Sequence, residues 1–439
     1  MSEPTSFEIV QLGENNVPSP LKLSKVRGDN IYNYVELGER YMLDTSRAYF
    51  DRCLREGIEP ICLEKAGPRE KLFFDPSRVR AAIVTCGGLC PGINNVIRGI
   101  VMALHYFYGV REIFGIPYGY EGLNPESGHG LRRLTPDDVK DIHHDGGTFL
   151  GSSRGAQPVE VMVEYLKENQ IDMLFGIGGD GTLKGLNAIG ERIGELGLPI
   201  SVMGIPKTID NDIDLIDHSF GFETSFDKAN PILQDAHNEA AGAYNGIAIV
   251  KLMGRDSGFI AACAALSQPV VNFVLIPELH FELYGDNGFL HHLTKRLEYK
   301  HHAVVVVAEG AGQHLFDNEH ELRDASGNLK HQDIGILLKD KIKEYYKDKM
   351  SVTVKYIDPS YIVRSAKANS SDSVFCSALA YHAVHGAMAG KTRCVVGRFN
   401  NQYCYAPIRE VTRQRRKVDL EGELWFSVLQ STGQPFRMD

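Results

Sequence analysis

From Arg80 onward, short and wholly apolar runs alternate with helix-length segments, and that alternation leaves few folds open. Runs over 81–85, 112–116, 173–177, 200–205, 247–252, 272–276, 303–307, 352–356 and 393–396 predict strands. Segments near 93–106, 158–168, 182–194, 222–241, 256–266, 286–298, 332–347 and 371–388 predict helices. Strands that are apolar throughout are buried on both faces, as in parallel sheets covered by helices. The expected fold is α/β, with two Rossmann-like parallel-sheet domains and an active site in the cleft between them. Ligands of such folds bind at the carboxyl ends of the strands. Residues 1–77 carry scattered prolines and many charges without the alternation, and predict an N-terminal extension or small accessory lobe.

Composition excludes several classes. A net charge of −9 argues against a general nucleic-acid binder, which needs a basic balance to neutralise phosphates. Small anionic substrates need only a local basic pocket and stay open. No apolar h-region follows Met1 and no apolar run approaches about 18 residues, so neither secretion nor a membrane span is expected. The eight cysteines form no CxxC pair, which predicts reduced, mostly buried thiols and a cytoplasmic setting. Three histidine doublets, at 143–144, 291–292 and 301–302, lack the i, i+4 spacing of a helical metal pair. The basic run 413–417 reads as a solvated face.

The chemistry concentrates where strands give way to glycine. Between Phe175 and Asp212 the chain reads F-G-I-G-G-D-G-T-L-K-G, then a helix-length segment, then V-M-G-I-P-K-T-I-D-N-D. Glycines let backbone N–H groups approach an anion, and a helix N-terminus adds positive potential. Gly176-x-Gly178-x-x-Gly181 matches the dinucleotide pattern, but the next strand ends in Pro206-Lys207 rather than a ribose-binding acid. Asp180 is better placed to meet a phosphate-bound Mg²⁺, a hard cation that prefers carboxylate and water. Gly87, Gly88 and Gly92 make a second turn, functional or demanded by packing. The stretch 146–155 makes a third, ending in Arg154 and Gly155, whose arginine either grips phosphate or is solvated. If 208–212 is extended, Asp210 and Asp212 face one pocket, where like charge raises one pKa and favours proton acceptance. Lys207 either opposes that shift or binds phosphate. Arg255 opens another helix, and Glu309, Tyr361 and Arg364 follow later strands.

Together these pieces resemble the phosphofructokinase family. T-C-G-G-L-C-P-G-I-N-N (85–95), F-L-G-S-S-R-G (149–155), G-G-D-G-T (178–182), P-K-T-I-D-N-D (206–212), M-G-R (253–255), A-E-G (308–310) and Y-I-V-R (361–364) occur in family order. The extension resembles that of the longer ATP-dependent branch. The resemblance implies ATP-dependent 6-phosphofructokinase activity, a step of glycolysis: Mg²⁺-dependent transfer of the γ-phosphoryl of ATP to the C1 hydroxyl of fructose 6-phosphate. The alternative donor is pyrophosphate. It further implies a donor domain of 78–221 with 364–439, a sugar-phosphate domain of 222–363, and a homotetramer or homodimer.

Residue by residue, the resemblance makes Asp210 the general base and Asp180 the Mg²⁺ ligand. Gly87, Gly88, Arg154, Gly155, Gly178, Gly179, Gly181 and Thr182 line the donor site. Thr208, Ile209, Asp212, Met253, Gly254, Arg255, Glu309, Tyr361 and Arg364 fall at substrate positions, and Lys207 lies between the two groups. Pyrophosphate users of the family have Asp where Gly181 stands, which favours ATP, while many of them share Lys207. Two sugar-phosphate arginines of the short enzymes are replaced by Gly246 and Lys355. Arg98 matches one of their effector arginines, but Met102 replaces a second, so their allosteric control does not carry over.

Overall fold

Residues 173–178, 201–206 and 80–85 run side by side in parallel at the centre of the first of two compact units. The computed structural model describes residues 7–316 and 331–439. Among these, the first unit holds a nine-stranded sheet in the order 40–42, 62–65, 402–407, 394–399, 201–206, 173–178, 80–85, 112–116, 132–133. The five strands from Cys394–Phe399 to Glu112–Ile116 are parallel, as their apolar runs predict. Strand Met173–Gly178 is buried at every position. Its glycines allow a close helix: a Cβ at Gly176 would lie 2.4 Å from Leu186, and one at Gly178 would lie 2.2 Å from Thr182. Both partners belong to the helix Asp180–Glu195, which is thereby seated on the strand that launches it.

One expectation is corrected in this unit and another is narrowed. The sheet is mixed, because Gln402–Pro407 pairs antiparallel with Cys394–Phe399. Of the two readings of residues 1–77, strands Arg40–Met42 and Cys62–Lys65 favour an extension over a separate lobe. Cys62–Lys65 pairs with Gln402–Pro407, and Arg40–Met42 pairs with Cys62–Lys65, so the extension widens the sheet. Arg69 and Lys391 fix the join by sharing Glu64, each at 2.8 Å, with all three side chains at most 15% exposed.

The second unit is a four-stranded parallel sheet in the order 273–275, 302–308, 246–252, 353–357. Val304–Val307 are fully buried, and each valine contributes about 1.5–3 kcal/mol of apolar burial. Helix Phe222–Ala241 packs on strand Gly246–Leu252 and on helix Phe259–Ser267. The C-terminus belongs here from residue 415, contrary to the expected division, and the boundary before it falls at Ser370 rather than 364. Gln434 supplies a physical reason. Its side-chain oxygen accepts from Val274 N at 2.6 Å and its amide donates to Val274 O at 3.3 Å, completing the edge of strand Phe273–Leu275. No described helix is long and apolar enough to cross a membrane.

Candidate active site

In the first unit, strand register brings the glycine-rich segments together. Thr85 lies opposite Ile177, and Pro206 opposite Gly178, so the turns after all three strands leave the same edge of the sheet. Gly87 N donates to Ser153 O at 3.1 Å and Ser152 Oγ donates to Gly87 O at 2.6 Å, joining the turn at 86–92 to the loop that carries Arg154 and Gly155. The Arg154 guanidinium is exposed and reaches to 3.5 Å from where a Cβ on Gly88 would stand. Lys207 is buried; its backbone N donates to Gly178 O at 2.9 Å and its Nζ donates to Gly88 O at 2.6 Å. The ammonium thus lies against the Gly87–Gly88 turn.

Helix Asp180–Glu195 starts from an extended Gly179 that offers no side-chain cap, and a helix N-terminus favours an anion. Asp180 holds Lys184 at 2.9 Å across one turn, and the lysine is 58% exposed. A single carboxylate on a glycine-rich turn at a helix N-terminus has the chemistry to meet Mg²⁺, which takes one or two carboxylates together with substrate phosphates and water. The Cβ position of Gly181 has no heavy atom within 4 Å, so the space beside the helix N-terminus is open. Thr182 is buried under the turn, where its carbonyl accepts from Tyr120 OH at 2.5 Å. Thr208, also in this unit, accepts at its carbonyl from Ser219 Oγ at 2.5 Å.

The second unit collects the acids. Asn211 adopts a left-handed conformation, φ 55°, so the condition of an extended 208–212 is not met and the segment turns. Asp210 and Asp212 nevertheless interact. Burial raises the Asp210 carboxyl most, the Asp212 charge adds to it and Glu309 adds again, carrying it to about 8. Arg255 N approaches Asp210 Oδ2 at 3.5 Å, and Ser257 Oγ donates to Asp210 O at 2.7 Å. Ile209 is buried beside them and Met253 is half-buried.

Glycines close this arrangement. Gly310 N donates to Gly254 O at 3.1 Å, and a Cβ on Gly310 would stand 1.8 Å from Arg255 O. Any side chain at 310 would push Glu309 away from Arg255. Burial raises the Glu309 carboxyl, while Lys251, Arg255 and Arg364 oppose the rise. Tyr361 is exposed on the short helix Ser360–Arg364, with the Arg364 guanidinium 4.7 Å from its ring centre.

Two groups escaped the sequence reading. Arg415 sits 3.5 Å from Asp212 and also pairs with Asp256, while Arg416 N donates to Asp212 O at 2.9 Å. These two arginines of the basic run are half-buried braces, not a solvated face. Lys251 Nζ bonds Asp333 at 2.5 Å and Asp358 at 2.9 Å, and Tyr356 OH donates to Asp333 at 2.9 Å. A charged residue inside an otherwise apolar strand was the available signal for Lys251. Gly246 has a steric explanation: a Cβ there would stand 2.1 Å from Ala240 O, so no arginine fits. Lys355 is exposed, 3.6 Å from Glu239.

The family model described as phosphofructokinase matches residues 80–387. The ATP-dependent 6-phosphofructokinase of Borreliella burgdorferi is 49% identical over 100% of this chain and 98% of its own. That of Amycolatopsis methanolica is 46% identical over 97% and 94%. Among solved structures, the pyrophosphate-dependent phosphofructokinase of Marinobacter aquaeolei superposes with a TM-score of 0.66 at 22% identity, covering 81% of this chain and 91% of that one. Phosphofructokinase from Saccharomyces cerevisiae superposes at 0.62 and 21%, covering 81% and 47%. At these identities the superpositions speak for the fold.

Proposed function

The chain belongs to the phosphofructokinase family, and on that premise we propose that it transfers the γ-phosphoryl group of ATP to the C1 hydroxyl of fructose 6-phosphate, giving fructose 1,6-bisphosphate. The observation that carries the reading is Asp210, a carboxyl held above its ordinary range by burial and by Asp212 and Glu309, beside the Arg255 backbone. A carboxylate with a raised pKa accepts a hydroxyl proton more readily, and phosphoryl transfer otherwise needs positioning and charge neutralisation.

In this reading Asp210 takes the C1 proton. Arg255, Glu309, Tyr361 and Arg364 orient the sugar phosphate, with Met253 and Gly254 lining it and Thr208, Ile209 and Asp212 shaping the turn around the base. Gly87, Gly88, Arg154, Gly155 and Gly178–Thr182 receive the donor phosphates, and Lys207 offers them a cation. Asp180 would hold Mg²⁺, which when bound neutralises charge on the donor phosphates. A homotetramer or homodimer and a cytoplasmic setting belong to the same proposal.

ATP is favoured over pyrophosphate by the open space at Gly181 and by the names of the relatives at 46–49% identity. A coupled assay of fructose 1,6-bisphosphate formation with Mg²⁺ and either donor tests this. Turnover with ATP is expected. No product with either donor overturns the kinase reading, and turnover with pyrophosphate alone overturns the role of Gly181.

A further inference from the structure

On the second unit, among residues given no role above, one donor atom from each of His280, Glu282 and His314 lies within 4.8 Å of the others. None of the three belongs to a histidine doublet. His280 and Glu282 flank the buried Phe281 after strand Phe273–Leu275, and His314 sits in the short turn Gln313–Leu315 after strand His302–Ala308. From this convergence we propose a binding site for a divalent transition metal of the zinc class, held by two imidazoles and one carboxylate.

Three features argue for a ligand set beyond proximity. The first is the tautomer of His314, whose Nε2 lies 3.0 Å from the Phe281 carbonyl oxygen. A carbonyl only accepts, so Nε2 carries the proton and Nδ1 presents its lone pair. An imidazole whose second nitrogen donates to a backbone carbonyl is the usual outer-shell arrangement of a metal-ligating histidine.

The second is rigidity beneath exposed side chains. Phe281 is fully buried and forms a bridge with Met438. Glu282 N donates to Met438 O at 2.6 Å, and Phe289 N donates to Glu282 O at 2.8 Å. The backbone at Phe281 and Glu282 is therefore held, beneath side chains that reach into solvent. Ligand atoms around tetrahedral zinc stand about 3.3 Å apart, given metal–ligand bonds near 2.0–2.1 Å. Small rotations of the exposed side chains cover that closure.

The third is the chemistry of the set. Two nitrogens and one oxygen suit zinc and its neighbours better than Mg²⁺ or Ca²⁺, which favour all-oxygen shells. His280 Nε2 and Glu282 Oε1 share a hydrogen bond of 3.1 Å, and the His280 and His314 rings lie 4.3 Å apart. Metal entry at His280 Nε2 replaces this hydrogen bond, with the neutral imidazole carrying its proton on Nδ1 instead. The site also joins two loops. Gln313 Nε2 donates to Glu309 O at 3.0 Å, so ligation of His314 braces the turn that begins at Glu309.

The test uses the untagged full chain, stripped of metal and titrated with Zn²⁺ against a chromophoric chelator, and with Co²⁺ followed by visible absorption. One tight equivalent per chain is expected, with Co²⁺ bands of a low-coordinate nitrogen–oxygen site and slowed amide exchange over 309–315. Affinity should fall about tenfold or more in His280→Gln or His314→Gln, and the equivalent should vanish in the double variant. All three side chains are exposed, so the metal-free variants should melt with the parent. Failure of the parent to take up Zn²⁺, or an unchanged equivalent in the double variant, overturns the proposal. Neither result depends on the phosphoryl-transfer reading.

Discussion

Lys207 Nζ donates to the carbonyl oxygen of Gly88 across 2.6 Å, tying the end of strand Ser201–Pro206 to the turn after strand Arg80–Thr85. The bond places a buried cation beside the Gly87–Gly88 turn, which the proposed function assigns to the donor phosphates. The ammonium is thus oriented by a backbone carbonyl, a contact that does not itself depend on which donor is used.

Lys207→Met removes the charge and keeps most of the stem. It should lower kcat/KM for ATP by about 100-fold, the scale of losing one preorganised electrostatic contact. KM for fructose 6-phosphate should stay near the parent value. Steady-state kinetics with each substrate varied in turn checks this, and a loss confined to the sugar KM would contradict the placement.

Gly181→Asp tests donor choice with little structural disturbance. The Cβ meets nothing within 4 Å, and an acid in the first turn of helix Asp180–Glu195 complements the helix dipole. The melting temperature should therefore hold or rise slightly. The added carboxylate would repel a nucleotide phosphate, so kcat/KM for ATP should fall about 100-fold or more. An unchanged ATP efficiency in a stably folded variant would remove Gly181 from the specificity argument.

Asp210→Asn separates chemistry from stability. Loss of the base should lower kcat by about 10²–10⁴-fold with little change in sugar KM. The raised carboxyl also sets two signs of pH dependence. As a base it works only when ionised, so kcat/KM should rise with pH through a limb lying above the usual carboxylate range. Its folded-state pKa exceeds the unfolded value, so its contribution to stability is present below the unfolded pKa and lost as pH rises through the folded one. At neutral pH the amide variant should therefore melt higher than the parent. A lower melting temperature across the pH range would contradict the electrostatic account.

Much of this was legible before any coordinates. Val304–Val307 reads as a buried parallel strand because nothing in it tolerates water, and Gly178 reads as part of a glycine-rich anion-binding segment because the strand before it gives way to glycines. What was not legible depends on distant partners. Arg40–Met42 is short and partly exposed, and becomes a strand only because Cys62–Lys65 bridges it to Gln402–Pro407. The interaction of Asp210 with Asp212 was reasoned on the condition of an extended backbone, whereas the chain between them turns at a left-handed Asn211. Arg415 looked like one charge among several, since its partners Asp212 and Asp256 lie far away in sequence.

Arg415 gives the last prediction, because it acts on the base only through its neighbour. The negative charge of Asp212 is the second cause raising the Asp210 carboxyl, and Arg415 stands 3.5 Å from Asp212 Oδ2. Removing the guanidinium in Arg415→Gln leaves that negative charge less compensated, so Asp210 becomes harder to ionise. The acid limb of kcat/KM should then move to higher pH, by about half a unit to one unit. Arg415→Lys retains the charge and should return the limb most of the way, though without the paired grip on Asp212 and Asp256. The backbone bond from Arg416 N to Asp212 O remains in both variants, so the turn itself keeps an anchor. A pH–rate profile decides between the roles. A shifted limb restored by lysine assigns Arg415 to tuning the base, whereas a uniform loss of activity with an unmoved limb would make it a brace for the fold alone.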